Sequence, residues 1–483
     1  MVENPLSWRL KLGYAAGQLV EGVVNNTLTI FLLFYLTAVC GLSGGLAGVA
    51  LSIGIVVDAV MDPLIGALSD RWQSRLGRRL PFMLAGLPPL ALCLVLIFTL
   101  PSSLAPPLLF AWLTLLSVVL RIALSMFVLP FQAVGAELSA DHAERSSVMA
   151  WRWGLGMVGA VVAVMLGFGV FFTGPGGLSQ RSAYPPFALA LAAILLFGGL
   201  VGARTTYLAR ARLHHRPEET GGDGLALYAE FFGVFRSHSF RILFTGALLF
   251  FVALGTNTAL GLHINTYFWR LSEPQIQLVT LALLGGLLAG APLAGPFVKR
   301  LEKRTILAIG MTGLLLATGG PTTLRLLGLL PLEGDSLAAL LAAIGFGGGV
   351  LMAVAGIAFS AMMADATDEY EHLSGKRREG LFFAGWAFAS KAAQGGGALI
   401  AGGVLDLVRF PANLAQQGGA EAALPVAMID RLAIAYGPGS ALLFLASVGI
   451  CLFYRLDRRR HAAILVELTE RRHGVDQAAR EVA

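Results

Sequence analysis

The sequence predicts an all-α membrane protein of twelve transmembrane helices, arranged as two pseudo-symmetric six-helix halves. Of 483 residues, 56% are hydrophobic and only 13% are charged, whereas a soluble chain averages about 25% charged residues. Apolar runs long enough to cross a bilayer, about 20 residues each, recur along the whole chain. The 59 glycines are typical of helices that pack closely in lipid.

We predict twelve spans from these apolar runs, numbered one to twelve in chain order. They are residues 12–38, 43–69, 81–100, 108–135, 148–173, 184–207, 240–268, 275–297, 305–323, 336–364, 379–407 and 432–454. A long polar connection separates the sixth span from the seventh. The predicted division is an N-terminal half over residues 1–207, a cytoplasmic linker over 208–239, a C-terminal half over 240–454 and a cytoplasmic tail over 455–483.

Basic residues concentrate in alternate loops, which predicts the orientation. Arg71, Arg75, Arg78 and Arg79 follow span two, whereas the loop 101–107 on the other side carries no basic residue. Because cytoplasmic loops are rich in lysine and arginine, both termini are expected in the cytoplasm. The chain is then a multi-pass protein of the plasma membrane, in bacteria the inner membrane.

Two aspartates lie inside the otherwise apolar second span. Asp58 and Asp62 are four residues apart, so they share one helix face about one turn from each other. A charge at membrane depth is costly, and a second carboxylate beside it adds to the cost unless a cation or proton lies between them. The pair predicts a site for Na⁺ or H⁺. The alternative, that Asp62 only caps a helix restarting at Pro63, leaves Asp58 unexplained.

Further polar residues inside spans are candidates for the substrate site. Glu21 and Asn25 lie on one face of span one, and Arg121 lies deep in span four. Lys391 lies well inside span eleven, where it could bridge the halves to an acid on span one or two, or hydrogen-bond a substrate oxygen. Arg152 begins span five, where a role in the cavity and an interfacial role among tryptophans are both open.

Several motifs resemble a known family. The loop Gly66-x-Leu68-Ser-Asp70-Arg71-x3-Arg75-x-Gly77-Arg78-Arg79 resembles the major facilitator superfamily. Four further features resemble its glycoside–pentoside–hexuronide:cation symporters, and they are Lys11-Leu-Gly-Tyr14, Asp58-x3-Asp62-Pro63, Ala364-Asp365-x2-Asp368 and Gly375-Lys-Arg377-Arg378-Glu379-Gly380. They occur in the family's order over most of the chain. The resemblance implies the major facilitator fold and cation-coupled symport.

The resemblance also implies roles for particular residues. Asp58 and Asp62 match the aspartates that bind the coupling cation, and Ser125 matches a hydroxyl that helps to ligate it. Arg152 and Lys391 match basic residues of the central cavity. The cytoplasmic residues Asp365, Asp368 and Arg377 match an inner-gate network.

Other positions depart from the family pattern. A span-one Lys-Asp pair that contacts sugar in galactoside-transporting members reads Glu21-Gly22 here, a span-four aspartate is Val128, and a tryptophan is Gln132. A galactoside is therefore not expected as substrate. A related branch moves lysophospholipids with the same pair of aspartates, so an amphiphile is an alternative. The candidate substrate-binding residues are Glu21, Asn25, Arg121, Gln132, Arg152 and Lys391.

Opposite charges at one membrane face suggest a gate. Arg71, Arg75 and Arg78 follow span two, whereas Asp365 and Asp368 end span ten in the other half, near Arg377. Such pairs at a wet rim are worth only about 0–1 kcal/mol each, but several could bias a transition between two states. We hypothesise that they pair across the halves when the cytoplasmic side is shut.

The predicted function is secondary active transport, the symport of Na⁺ or H⁺ with a small polar solute, a sugar or glycoside, by alternating access. A membrane-embedded enzyme is a distant alternative, since the sequence contains no P-loop and no metal-ligand cluster. No cofactor other than the coupling ion is expected, and Na⁺ would bind at Asp58 and Asp62. The expected partners are the small-molecule substrate and membrane lipid, without nucleic acid, and the chain is expected to be a monomer.

The loop charges generate a topology prediction. A cysteine at Ser74 should react with a membrane-impermeant maleimide only from the cytoplasmic side, and a cysteine at Ser103 only from outside. Labelling of intact cells and of inverted vesicles measures both. The reverse pattern would contradict the predicted orientation.

Overall fold

The computed structural model describes residues 6–101, 104–139, 141–173, 177–210, 233–375, 378–411, 414 and 424–482. In this part of the chain, helices occupy all twelve predicted spans. Ten of them are long and apolar enough to cross a membrane by length and composition. Span one is broken into short pieces, and span eleven carries Lys391 and Gln394, so these two fall outside that count. Most of the predicted linker, and the position Ser103, lie outside the described residues, so the division at 208–239 stays a prediction.

The helix bounds follow the predicted spans, with some ends longer and others shorter than predicted. In the first half the helices are Trp8–Ala15 and Gln18–Thr27 in span one, then Gly44–Arg71, Leu80–Ile97, Pro106–Glu137, His142–Leu166 and Tyr184–Leu208. In the second half they are His238–His263, Glu273–Arg300, Lys303–Leu326, Gly334–Ser374 and Glu379–Leu407, with Val426–Ile434 and Ser440–Cys451 in span twelve. A tail helix, Arg458–Val482, follows.

The two halves repeat the same packing. In the first half span two packs on four, three on four and on six, and one on five and on six. In the second half span eight packs on ten, nine on ten and on twelve, and seven on eleven and on twelve. Adding six to each span number of the first half reproduces the second set, so the halves are pseudo-symmetric in packing.

The halves meet tightly at one end of the bundle. We name the face with residues 72–79, residues 301–302 and the tail the basic face, and the other the opposite face. At the opposite face spans two and eleven approach so closely that a Cβ on Gly402 would collide with the carbonyl oxygen of Gly44. Glycine at this crossing allows backbone-to-backbone contact, as in other membrane helix pairs.

Polar contacts join the halves along the same seam. The backbone N–H of Gly45 donates to Asp406 Oδ2 at 2.8 Å, and the Ser52 hydroxyl donates to the carbonyl of Gly395 at 2.8 Å. The buried His263 Nε2 lies 2.8 Å from the Thr37 hydroxyl. Because these contacts lie between the opposite face and the middle of the bundle, the structure is closed at the opposite face.

This seam generates a prediction about access. Gly402→Val should prevent closure at the opposite face, because the added side chain meets the backbone of Gly44. A cysteine at Thr29, in a background without the native cysteines, should then react faster with a maleimide added from that side. Gly403→Val is the matched control, because a Cβ at Gly403 has nothing within 4 Å. Equal labelling in both variants would contradict the assignment.

Candidate cation and substrate site

Spans two and four present facing ladders of residues at helical spacing. Gly54, Asp58 and Asp62 recur every four residues on span two, and Arg121 and Ser125 do the same on span four. Residues i and i+4 lie on one helix face, and these two helices pack directly on each other. The two carboxylates therefore meet the span-four hydroxyl between the helices, in the middle of the bundle.

The cation residues predicted from the sequence converge on one point. Ser125 Oγ lies 2.8 Å from Asp58 Oδ1 and 2.6 Å from Asp62 Oδ1. A hydroxyl has one proton, so it donates to one carboxylate at a time. The Asp58 side chain is 6% exposed and that of Asp62 19%, so both carboxylates are largely shielded from solvent.

Lys391 occupies the remaining side of the two carboxylates. Its Nζ donates to Asp58 Oδ2 at 2.8 Å and also to Asp62 Oδ2. The sequence left two roles open for this lysine, and the structure shows the bridge from span eleven to span two. The ammonium thus lies between the two predicted cation ligands, and it supplies part of the compensation that two adjacent buried carboxylates require.

Span two is continuous through this site. The helix Gly44–Arg71 contains Pro63 in its interior, where a proline removes one backbone hydrogen bond. Asp62 therefore does not cap a new helix, and the alternative interpretation of this residue does not fit the structure.

Arg121 lies beside the cation residues without joining them. Its guanidinium interacts electrostatically with Asp58 and Asp62, but in the described part of the chain it forms no ion pair and no hydrogen bond. It lines a cavity of about 70 Å³ between the halves.

Three of the remaining substrate candidates form a second group, two helical turns nearer the basic face. Glu21 Oε2 accepts from Gln18 Nε2 at 2.6 Å and from Gln132 Nε2 at 3.4 Å. Arg152 lies beside the Tyr14 hydroxyl, and its buried Nη1 has no hydrogen-bond partner among the described residues. Asn25 is half-buried on the same face of span one as Glu21.

Among the predicted gate residues, Arg78 and Asp365 pair within their own halves in this structure. Arg78 lies 3.5 Å from Glu137, and Arg71 and Arg75 are exposed. On the other half, Asp365 lies 2.7 Å from Lys303, and Asp368 lies 3.0 Å from His461 of the tail helix. Pairing across the halves in another state stays a prediction. Arg377 lies outside the described residues.

Sequence reasoning missed several groups that the fold brings to the site. Thr29, Ser117 and Gln394 line the cavity beside Arg121. Ser117 precedes Arg121 by four residues, and Gln394 follows Lys391 by three, so helical spacing from the two charged residues could have found both. No spacing in the sequence identifies Lys303 as the partner of Asp365 or His461 as the partner of Asp368.

Comparison with protein families decides the identity. Residues 13–458 match the family described as MFS/sugar transport protein. The chain belongs to this family. The resemblance to the glycoside–pentoside–hexuronide:cation symporters is confirmed, as are the major facilitator fold and the assignment to membrane transporters rather than enzymes.

Two relatives and one solved structure illustrate the match. A glucuronide carrier protein homolog of Escherichia coli (strain K12) is 27% identical, with 98% of this chain and 97% of that protein covered. The isoprimeverose transporter of Lactiplantibacillus pentosus is 23% identical, with 94% and 90% covered. The crystal structure of the nucleoside transporter NupG matches with a TM-score of 0.60 at 14% identity, over 92% of this chain and 99% of that one. At that identity the likeness concerns the fold.

The position of Lys391 generates a prediction about cation affinity. Lys391→Gln removes the ammonium and leaves the two carboxylates to attract an external cation, so Na⁺ or H⁺ should bind about tenfold more tightly. Thermal stabilisation of the purified protein across Na⁺ concentrations and pH measures this. Cation binding that is unchanged or weaker would show that Lys391 does not compete for the site.

Proposed function

We propose that this protein couples the inward movement of Na⁺ or H⁺ to the uptake of a small polar solute, a sugar or glycoside, by alternating access. The observation that carries the proposal is the convergence of two carboxylates, one hydroxyl and one ammonium between the halves. Oxygen ligands alone suit a hard cation. Protonation of one carboxylate would serve the same purpose.

The exchange between Lys391 and the cation supplies the coupling. In the structure the ammonium ties span eleven of the second half to span two of the first. A cation that enters between Asp58 and Asp62 takes over the compensation of their charge, and Lys391 is released. The contact between Lys391 and span two is thus present without the cation and absent with it. Because this contact joins the halves, the cation changes the relative stability of the two access states.

Three further observations support the uptake of a sugar-like solute across a bacterial inner membrane. The polar group of Glu21, Gln132 and Arg152 offers the hydrogen-bond donors and acceptors that a hydroxyl-rich ligand requires. Relatives are named as a glucuronide carrier protein homolog and an isoprimeverose transporter, and both names refer to sugar derivatives. The loop charges support a cytoplasmic location of the basic face and both termini, and with that orientation this structure is closed on the outside.

Reconstitution in liposomes tests the proposal. Asp58→Asn and Asp62→Asn should each abolish uphill accumulation of a sugar or glycoside driven by an inward Na⁺ or H⁺ gradient, because each removes a cation ligand. Asp335→Asn is the matched control, since Asp335 is exposed at the opposite face and accepts from Gln275. Concentrative uptake at the normal level by both site variants would refute cation coupling at this site.

A further inference from the structure

We propose that Arg121 anchors an anion subsite, so that the transported solute carries a carboxylate, sulfonate or comparable monovalent anionic group. The inference rests on the proposed cation-coupled transport and specifies its substrate class. Its basis is the position of Arg121, the absence of a partner for its guanidinium among the described residues, the cavity beside it and the charge balance of the site.

Arg121 is held at mid-depth between the halves. It lies midway along the helix Pro106–Glu137, too far from either end for its head group to reach an interface. Its side chain passes over Gly54 of span two, where a Cβ would lie 3.6 Å from Arg121 Cγ and 3.3 Å from Ser117 Cβ. The stem of Arg121 therefore lies against span two, and the guanidinium lines the cavity between the halves.

The guanidinium has donors without acceptors. It presents five N–H groups in a planar fork, and because the half-buried side chain lines the cavity, these donors are open to a ligand there. The nearest carboxylates, Asp58 and Asp62, already accept from Lys391 and Ser125. The planar fork matches a carboxylate or sulfonate that binds through two oxygens.

The cavity beside Arg121 has room for such a group. Its volume is about 70 Å³, and one water needs about 10–15 Å³ by the same measure. Both halves contribute to its lining, with Ser117 from span four and Gln394 from span eleven as polar members. Ser117 Oγ is buried and has no hydrogen-bond partner among the described residues, so it is a further donor aimed at the same space.

The charges around the cavity balance only while no cation is bound. Asp58 and Asp62 carry two negative charges, and Lys391 and Arg121 carry two positive charges. A monovalent cation at the aspartates leaves one excess positive charge, in a region where unpaired charge is expensive. An anionic group between Arg121 and the released Lys391 restores neutrality, whereas a neutral solute does not.

A purely structural role would give Arg121 a different behaviour. If the guanidinium served only to balance the charge of the two aspartates, its loss would change cation binding. It would also weaken the binding of neutral and anionic solutes equally. An anion subsite predicts instead that the loss falls selectively on the anionic solute. Matched pairs of ligands that differ only in charge separate these two roles.

The experiment measures binding to the purified full-length protein in detergent by calorimetry, with Na⁺ present and at several pH values. The probes are methyl β-D-glucuronide against methyl β-D-glucoside, and gluconate against sorbitol. The wild type should bind the anionic member of a pair at least about tenfold more tightly than the neutral one, as expected for a charge-assisted hydrogen bond. The proposal would be overturned if the neutral member of each pair bound more tightly than the anionic one, or if none of the four probes bound.

Variants at position 121 localise the effect. Arg121→Gln should lose the preference for the anionic probe while its stabilisation by Na⁺ or H⁺ persists, and Arg121→Lys should keep part of the preference. Arg241→Gln, at an exposed arginine that begins span seven, is the control and should bind like the wild type. Arg121→Gln protein that binds cation normally and still prefers the anion would overturn the assignment. Should this variant not fold, the wild-type comparison and Arg121→Lys decide.

Failure of this inference differs from failure of the proposed function. Cation-dependent transport of a neutral glycoside, with no preference for the anion, would refute the anion subsite and leave cation-coupled symport intact. Transport of either solute that is independent of Na⁺ and H⁺ gradients would refute the proposed coupling, whatever the charge preference.

Discussion

The structure depends on the compensation of charge at mid-membrane depth by groups from opposite halves. Span two brings two carboxylates into a medium that penalises them, and the ammonium that contacts both of them belongs to span eleven. In this structure neither half by itself supplies both the carboxylates and the ammonium that contacts them. The same contact therefore joins the halves and lies at the site proposed for the coupling cation.

The ion pair of Lys391 with the two aspartates affects the stability of the site, and its exposure is compatible with the proposed exchange for a cation. A buried ion pair contributes little net stability relative to apolar packing, but removal of one partner leaves a costly unpaired charge. Lys391 is one-third exposed, with 34% of its side chain accessible, whereas Asp58 is 6% exposed. The lysine is therefore more accessible than the aspartates, as the proposed exchange of its ammonium for a cation requires.

The seam at the opposite face has a different physical character. There the halves meet through glycine backbones and a few neutral or capping hydrogen bonds, such as Gly45 N–H to Asp406. Packing of this kind depends on close geometry rather than on charge, so small rigid-body movements would separate it. On the basic face the charged side chains Arg78 and Asp365 pair within their own halves. The two ends of the bundle are thus held by different interactions, as a protein with two access states requires.

Local sequence determined much of this protein, and tertiary structure decided the rest. Hydropathy and length predicted the twelve spans, and spacing placed Asp58 and Asp62 on one face, because both depend only on neighbouring residues. Three features could not be predicted in the same way. Lys391 contacts both aspartates, although 333 positions of chain separate it from Asp58. Arg121 lies beside a cavity without a partner among the described residues, and Gln394 lines the same cavity. In a membrane both the packed and the lipid-facing sides of a helix are apolar, so the rotation of each helix, and with it the company of each polar side chain, is set only when the helices pack.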